Sequence, residues 1–446
     1  MRFNNTFALV LCGTSIIMLV GTHMLFTSSA LFDTAMWCVS SIGWLLLVNS
    51  ALRSNAEQPH RLHQGLLIGV ALCAMLAAPL HDVFSDDAQR YLWDGIVVAS
   101  GDNPYASSPL REPLIQHRTL LPDGTVLPDD MPYASMRTIY PPGMQLIAGA
   151  LVSVIGTPSR VGFEIAWWVV VVVLLGIALR TAEARDRSWI AVACISPLVL
   201  LHGVGDIHSD VLMAAMALLG VIALTRDRWI VAAVLIALAI SIKYVPILLI
   251  PALLRDRTRR EQILVLGVVC AVVIATYLPF VASSSSVVGS LPVFAAHWQA
   301  NSLLYSMLTW LSSAWLALDH VRLVLGVLAL VLAAAIWRRH HKQPIAAAMM
   351  TYLALLICSP VVHAWYIILP VLLLPFAPLR STITWATTMC VYGVFYATYK
   401  GDGVWFEHPV ALAIEYIPVL FAFARDVQRG PLLLRDQKRA SSTALA

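Results

Sequence analysis

Between Ser85 and Ile96 the chain reads SDDAQRYLWDGI, and GDNPYA follows at Gly101 to Ala106. Four carboxylates, an arginine and three aromatics thus fall in a short span bounded by apolar sequence. Unpaired charge in such surroundings costs several kcal/mol, so the cluster needs water, a partner or a substrate. A carboxylate there is equipped to take a proton from a hydroxyl, and an arginine fork to hold a phosphate. Asp86 to Arg90 and Arg90 to Asp94 are both i,i+4 spacings, which fit a surface ladder of ion pairs as well as they fit chemistry. Ser85 is a suitable N-cap, with Asp86 and Asp87 in a first helical turn.

Three further groups carry titratable side chains. In HGVGDIHSDV, His202 to Val211, the residues Asp206, His208 and Asp210 are legitimate metal ligands. Asp210 also suits the start of the helix that follows, and Asp206 and His208 equally suit hydrogen bonds to a sugar or an acceptor. Lys243 stands at a Lys-Tyr-Val-Pro break where a buried ammonium needs an anion, either a phosphate or a structural aspartate. His363 lies beside Trp365 and Tyr366 just after Pro360, placed either for packing or for donation to a phosphate. Tyr105, within Asn103-Pro104-Tyr105, reads as turn chemistry or as a ring that stacks on a sugar. Trp167, Trp168, Trp298 and Trp310 read mostly as interfacial anchors.

The elements that position these groups are set by composition. Of 446 residues, 59% are hydrophobic and 12% charged, more apolar surface than one soluble core of that size hides. An all-α polytopic membrane protein is expected. With spans of roughly 20 residues, apolar runs fall near 7–26, 30–52, 65–80, 160–180, 188–203, 210–225, 229–254, 261–281, 320–337, 344–358, 361–377, 382–398 and 409–424. The first is read as a retained helix. The seven cysteines lie in or beside these runs with no CxxC pair, which argues against a disulfide framework or a zinc site. The net charge of +4 is divided among short basic clusters between runs, so it reports topology and not nucleic acid.

Placing those clusters on the cytoplasmic side requires 229–254 to go out and return at its Lys243–Pro246 break, and puts residues 81–159 outside. The segment from Thr138 to Met144, TIYPPGM, then opens a juxtamembrane helix. About fourteen crossings follow, two half-helices included. The expected divisions are N-terminal helices 1–80, an external loop with juxtamembrane helices 81–159, core helices 160–281, a second external loop 282–319, C-terminal helices 320–424 and a cytoplasmic tail 425–446. Polar groups of both signs gather at the external ends, and no glycine-rich phosphate loop appears on the inner side.

Paired acids opening a long external loop, an arginine one turn later, then YLWDG, NPY and YPP, resemble the GT-C superfamily of polyprenol-phosphate-sugar-dependent glycosyltransferases, most closely its bacterial mannosyltransferase-like branch. GDIHSD, KYVP and VHAWY extend the likeness over roughly residues 80–370. The resemblance implies transfer of a sugar, mannose in that branch, from a polyprenyl-phosphate donor to a hydroxyl on a glycan, lipid or protein acceptor, with inversion. The setting it implies is the external face of a bacterial inner membrane. It makes the first acid, Asp86, the general base, with Asp87 as the rival. Arg90, His363 and Lys243 become phosphate-binding candidates, and Asp206, His208, Tyr105 and Trp365 sugar- or acceptor-binding ones. No cofactor is expected; a divalent metal is admitted at the second constellation but not favoured. A secondary transporter or a lipid-linked sugar flippase would also be polytopic. A transporter would place its site near the midplane between repeats, but no internal repeat is visible and the polar residues gather at one face; a flippase would not need an acidic first loop.

Overall fold

The computed structural model describes residues 30–53, 69, 84–281, 287–312 and 318–432. The runs at 7–26 and 65–80 lie outside the described residues. The described chain is mostly helical, with one two-stranded hairpin, Thr119–Leu120 against Val126–Leu127. Four of its helices are long and apolar enough to cross a membrane: Leu31–Leu52, Arg160–Thr181, Arg259–Phe280 and Leu318–His340. Other described apolar runs are shorter or broken; the expectation was about fourteen crossings, two half-helices included. The run 188–203 becomes Ala184–Cys194 and Val199–Gly205, bent by 75°. The run 361–377 divides into a 3-10 turn, Ala364–Ile367, and a short helix, Ile368–Leu372. The run 382–398 divides into Arg380–Thr388, Met389–Val391 and Tyr392–Asp402. Two helices, Leu291–His297 and Leu303–Ser312, form within the stretch read as a second external loop.

Two compact units divide the chain. One takes the described parts of Leu80–Ile177 and His202–Trp298. Its helix Pro142–Ile155 begins on Pro141-Pro142, where a fixed φ and a missing N–H suit the first turn, at the place TIYPPGM predicted. This helix packs on Asp87–Ala99 so closely that a Cβ on Gly95 would stand 2.7 Å from the Ala148 carbonyl oxygen. The run 229–254 breaks as expected. Trp229–Ile242 ends at an extended Lys243, and a 3-10 turn from Val245 leads into Ile250–Leu254. An Arg257–Asp227 ion pair ties the two ends of this run together, so it does fold back on itself. Arg226, Arg228, Arg255 and Arg257, which flank this run, thus sit at the end of it opposite Lys243.

The other unit takes the described parts of Met1–Pro79, Ala178–Leu201 and Gln299–Ala446. At one end Asp426 accepts from the Arg380 guanidinium at 2.9 Å and from the Ser381 hydroxyl at 2.6 Å, while His340 Nε2 meets the Val427 carbonyl at 2.8 Å. Three helix ends that the basic clusters assigned to one side therefore do share one end of this unit. At its opposite end Ala300 bridges to Val361, next to His363.

Candidate active site

The first turn of Asp87–Ala99 decides which acid faces inward. Ser85 Oγ accepts the Asp87 N–H at 3.2 Å, but the helix begins at Asp87 and the N-cap position falls to Asp86, one residue later than Ser85. Asp86 is exposed. Asp87 turns inward with a quarter of its side chain exposed, and its Oδ2 accepts from the Tyr140 hydroxyl at 2.9 Å. The same oxygen lies 3.5 Å from His208 Nδ1. Burial, and after it the neighbouring Asp86 charge, push the Asp87 carboxyl up to about 6; the Tyr140 hydrogen bond and the more distant Lys243 charge pull the other way. An acid poised near the operating pH is what proton abstraction from a hydroxyl requires.

Aromatic rings wall the carboxylate. Tyr91 stacks on Trp167 with 5.6 Å between ring centres and meets Tyr140 edge-on at 4.9 Å. The Tyr91 hydroxyl pairs with Ser209 at 3.4 Å. Trp167 is therefore a core residue, not an interfacial anchor, because it packs against the helix that presents Asp87. Burial holds the phenols of Tyr91 and Tyr140 well above their ordinary range, and the Asp87 charge adds to the effect, so both remain hydroxyl donors.

The second constellation regroups. Asp210 does not join Asp206 and His208; both its oxygens take Lys243 Nζ at 2.8 Å. Lys243 is thereby held by the structural aspartate, one of the two anions its position admitted. His202, one turn earlier, contributes instead: its Nδ1 lies 2.9 Å from Asp206 Oδ2, while Asp206 Oδ1 accepts the Phe84 N–H at 3.2 Å. His202, Asp206 and His208 are fully buried and offer one ligand atom each within 4.8 Å of one another. Ile207 between them has φ 46, a left-handed conformation that is strained for a β-branched residue, and it sets the two flanking side chains.

Two other candidates have structural work. Arg90 is buried; its Nε takes Asp94 at 3.1 Å and its Nη1 the Met136 carbonyl at 3.0 Å. Gln145 closes the set by donating to Asp94 at 3.1 Å and Thr138 at 2.8 Å. The ion-pair reading of Arg90–Asp94 is the one the geometry carries, and Arg90 fixes the loop through Met136 instead of pointing a fork at open space. Tyr105 is corrected from a sugar-stacking ring to a packing residue. It is fully buried against Phe280, with its hydroxyl on the Tyr140 carbonyl at 2.6 Å.

A family model described as alpha-(1->6)-mannopyranosyltransferase, N-terminal domain, matches residues 8–255, more than half of the sequence. The chain belongs to this mannosyltransferase family. It is 28% identical over 233 residues to alpha-(1->6)-mannopyranosyltransferase A of Mycobacterium tuberculosis, a match covering 50% of this chain and 41% of that protein. It is 30% identical over 154 residues to alpha-(1->6)-mannopyranosyltransferase B of Corynebacterium glutamicum, covering 33% of this chain and 24% of that one. The aligned segments thus span about two fifths or less of these relatives' own length.

The mannosyltransferase family match contains Asp86, Asp87, Tyr140, His208 and Lys243 but ends before His363. In the unit that holds it, His363 stacks on Trp365 with 4.5 Å between ring centres, and its Nδ1 lies 3.0 Å from the Tyr392 hydroxyl. Trp365 is buried beneath it, a support for the imidazole instead of a free sugar platform. Sequence reasoning missed Tyr91, Tyr140 and His202 as parts of the site. Tyr140 stands inside the YPP signature and His202 four residues before Asp206, so position within the motifs was the available signal.

Proposed function

We propose that this chain transfers a mannosyl unit from a polyprenyl-phosphate donor to an acceptor hydroxyl at the external face of a bacterial inner membrane, with Asp87 as general base. The observation that carries the reading is the Asp87 carboxylate, which combines a raised pKa, a hydroxyl donor on Oδ2 and an imidazole within 3.5 Å. The acceptor oxygen attacks the anomeric carbon as its proton passes to Asp87. The bond from that carbon to the phosphate oxygen breaks, and the polyprenyl phosphate departs with the electron pair. One displacement inverts the anomeric configuration. Tyr140 and His208 orient the carboxylate, and the Lys243–Asp210 pair holds the start of Ser209–Thr225 in register beneath it. His363 is the proposed donor to the departing phosphate.

The test is transfer by the purified full chain from a short-chain polyprenyl-phosphate mannose, without any ion gradient. Asp87→Asn should lower turnover by about 10²–10⁴-fold, the usual contribution of general acid–base catalysis. Asp86→Asn should be much milder, and His363→Gln should weaken donor binding. Normal turnover by both aspartate variants would remove the mechanism. Collapse of the Asp86 variant alone would move the base by one residue.

A further inference from the structure

Outside the Asp87 site, two thiols meet in the unit that carries His363. The sequence offers no CxxC pair, and Cys38 and Cys390 stand near opposite ends of the chain. In the fold the helix Ala30–Arg53 lies against the Met389–Val391 turn and against the helix Tyr392–Asp402 that continues it. Thr34 faces Gly393. Because glycine carries no side chain the backbones come close there: a Cβ on Gly393 would stand 3.1 Å from Thr34 Cβ. One turn further along the first helix and one turn back along the second segment, the Cys38 and Cys390 thiols hydrogen-bond each other. The two contacts run in opposite order along the two segments, which is the register of antiparallel neighbours.

A disulfide needs Cβ atoms roughly 3.5–4.5 Å apart. The backbones at Thr34 are nearer than that, and the sulfurs one turn away already touch as free thiols, so a bridge requires little movement. Cys390 is buried, its thiol also reaching the Thr387 carbonyl at 3.3 Å. Cys38 is half-buried, so it is the sulfur that a small reagent meets first. The turn that carries Cys390 is tied into the surroundings of His363. Met389 Sδ accepts from Asn301 Nδ2 at 3.7 Å, Glu407 accepts the Asn301 backbone N–H, and the Tyr392 hydroxyl lies 3.0 Å from His363 Nδ1. The pair therefore belongs to the end of this unit opposite Asp426 and Arg380.

We propose that Cys38 and Cys390 are a redox-active pair, which closes to a disulfide and ties the helix Ala30–Arg53 to the Met389–Val391 turn beside His363. The oxidant is a disulfide, RSSR. The Cys38 thiolate attacks one of its sulfurs, forming a mixed disulfide and releasing RS⁻. The Cys390 thiolate then attacks Cys38 Sγ, the bond from Cys38 to the RS group breaks, and a second RS⁻ departs. The two thiol protons end on the two RS⁻ groups, and the two electrons lost by the pair reduce RSSR to two RSH. Burial of Cys390 makes it the resolving sulfur, since it reaches only what Cys38 holds. With His363 at an external face, the pair would lie toward the compartment in which disulfides persist. The proposal goes beyond the transferase reading and stands without it, because the bridge is detected whether or not a sugar is moved.

The probe is dithiodipyridine, a small apolar disulfide, added in less than equimolar amount to the reduced full chain in detergent. Peptide mapping by mass spectrometry should find Cys38 joined to Cys390 with the loss of two hydrogens, ahead of any linkage or adduct at Cys194, Cys270 or Cys358. Two thiopyridones should be released for each bridge, and dithiothreitol should reopen it. Cys390→Ser should release one thiopyridone and keep the pyridyl group on Cys38, whereas Cys38→Ser should show no early reaction at Cys390. Backbone amides of Met389 to Tyr392 should exchange at least ten-fold more slowly in the bridged protein, and Cys38→Ser treated alike should show no change. Separate pyridyl adducts on Cys38 and Cys390 in the native chain, or earlier linkage through another cysteine, would overturn the pair. A bridge that leaves exchange in the Met389–Val391 turn unaltered would overturn its action on the His363 surroundings.

Discussion

The Tyr140 hydroxyl donates to Asp87 Oδ2 at 2.9 Å across 53 residues of sequence, joining the start of one loop helix to the residue just ahead of the next. The bond favours the ionised carboxylate against a burial that disfavours it. Tyr140→Phe removes the donor and keeps the ring. The acid limb of the pH–rate profile, expected at about 6 for the native chain, should then rise by roughly one unit, equivalent to about 1.4 kcal/mol. Activity should fall by about five-fold at pH 6, by nearly ten-fold at pH 5, and recover toward pH 8. Profiles of kcat and kcat/KM between pH 5 and 8.5 check this; a native rate that stays flat down to pH 5 would remove Asp87 as the base.

The same shift ties function to stability. With a folded pKa of about 6 against an ordinary 3.8, Asp87 binds its proton more tightly in the folded state. Its contribution is therefore most favourable below about pH 4, declines as pH rises through 4 to 6, and is constant above that. Asp87→Asn should lose turnover yet show no loss of thermal stability at pH 7.5, with a gain of at most about 3 kcal/mol that vanishes toward pH 4. Thermal unfolding of both proteins at the two pH values reads the difference. A variant less stable than the native chain at pH 7.5 would contradict the burial of this charge.

How much of this was legible depended on the distance between partners. The acid pair, the TIYPPGM helix start and the Lys243 break are local patterns, and each stands where its spacing placed it. Which acid of the pair turns inward was not legible, because it depends on whether the helix begins at Asp86 or Asp87, a one-residue register fixed by packing against Tyr140 and Trp167. Asp210 looked like a member of the Asp206–His208 set by alternation, whereas its partner Lys243 lies 33 residues further on and His202 takes the vacated role. Glu407 and Asn301 meet across 106 residues, and no spacing rule connects them. Tyr105 shows the converse: its type suited a sugar, but a turn buried it.

Lys243 and Asp210 make a nearly dry pair, with side-chain exposures of 22% and 2%. Removing only the ammonium leaves a buried carboxylate with its main counter-charge gone, so Lys243→Met should destabilise the chain by about 3 kcal/mol. The double variant Lys243→Met with Asp210→Leu replaces the pair by apolar groups and should recover most of that loss. Unfolding midpoints of the three proteins in one detergent test it. Equal stability of the single and double variants would mean that the aspartate is compensated elsewhere.

The close approach of helices beneath the site gives the last prediction. A Cβ on Gly143 would stand 2.6 Å from the Ser241 carbonyl oxygen, and one on Gly95 2.7 Å from the Ala148 carbonyl oxygen, both backbone atoms that cannot rotate away. Each alanine substitution must separate two helices, which costs typically 1–3 kcal/mol in a packed interior. The consequences for chemistry should differ. Gly143 opens the helix that follows Tyr140 and packs it near Lys243, so Gly143→Ala moves the Tyr140 hydroxyl relative to Asp87. Gly95 lies two turns along from Asp87, past Arg90 and Asp94. Gly143→Ala should therefore lower kcat more than Gly95→Ala at matched stability, with its acid limb displaced in the direction of Tyr140→Phe. Unfolding midpoints together with pH–rate profiles of the two variants would decide it, and identical profiles would detach the Pro142–Ile155 helix from the positioning of the base.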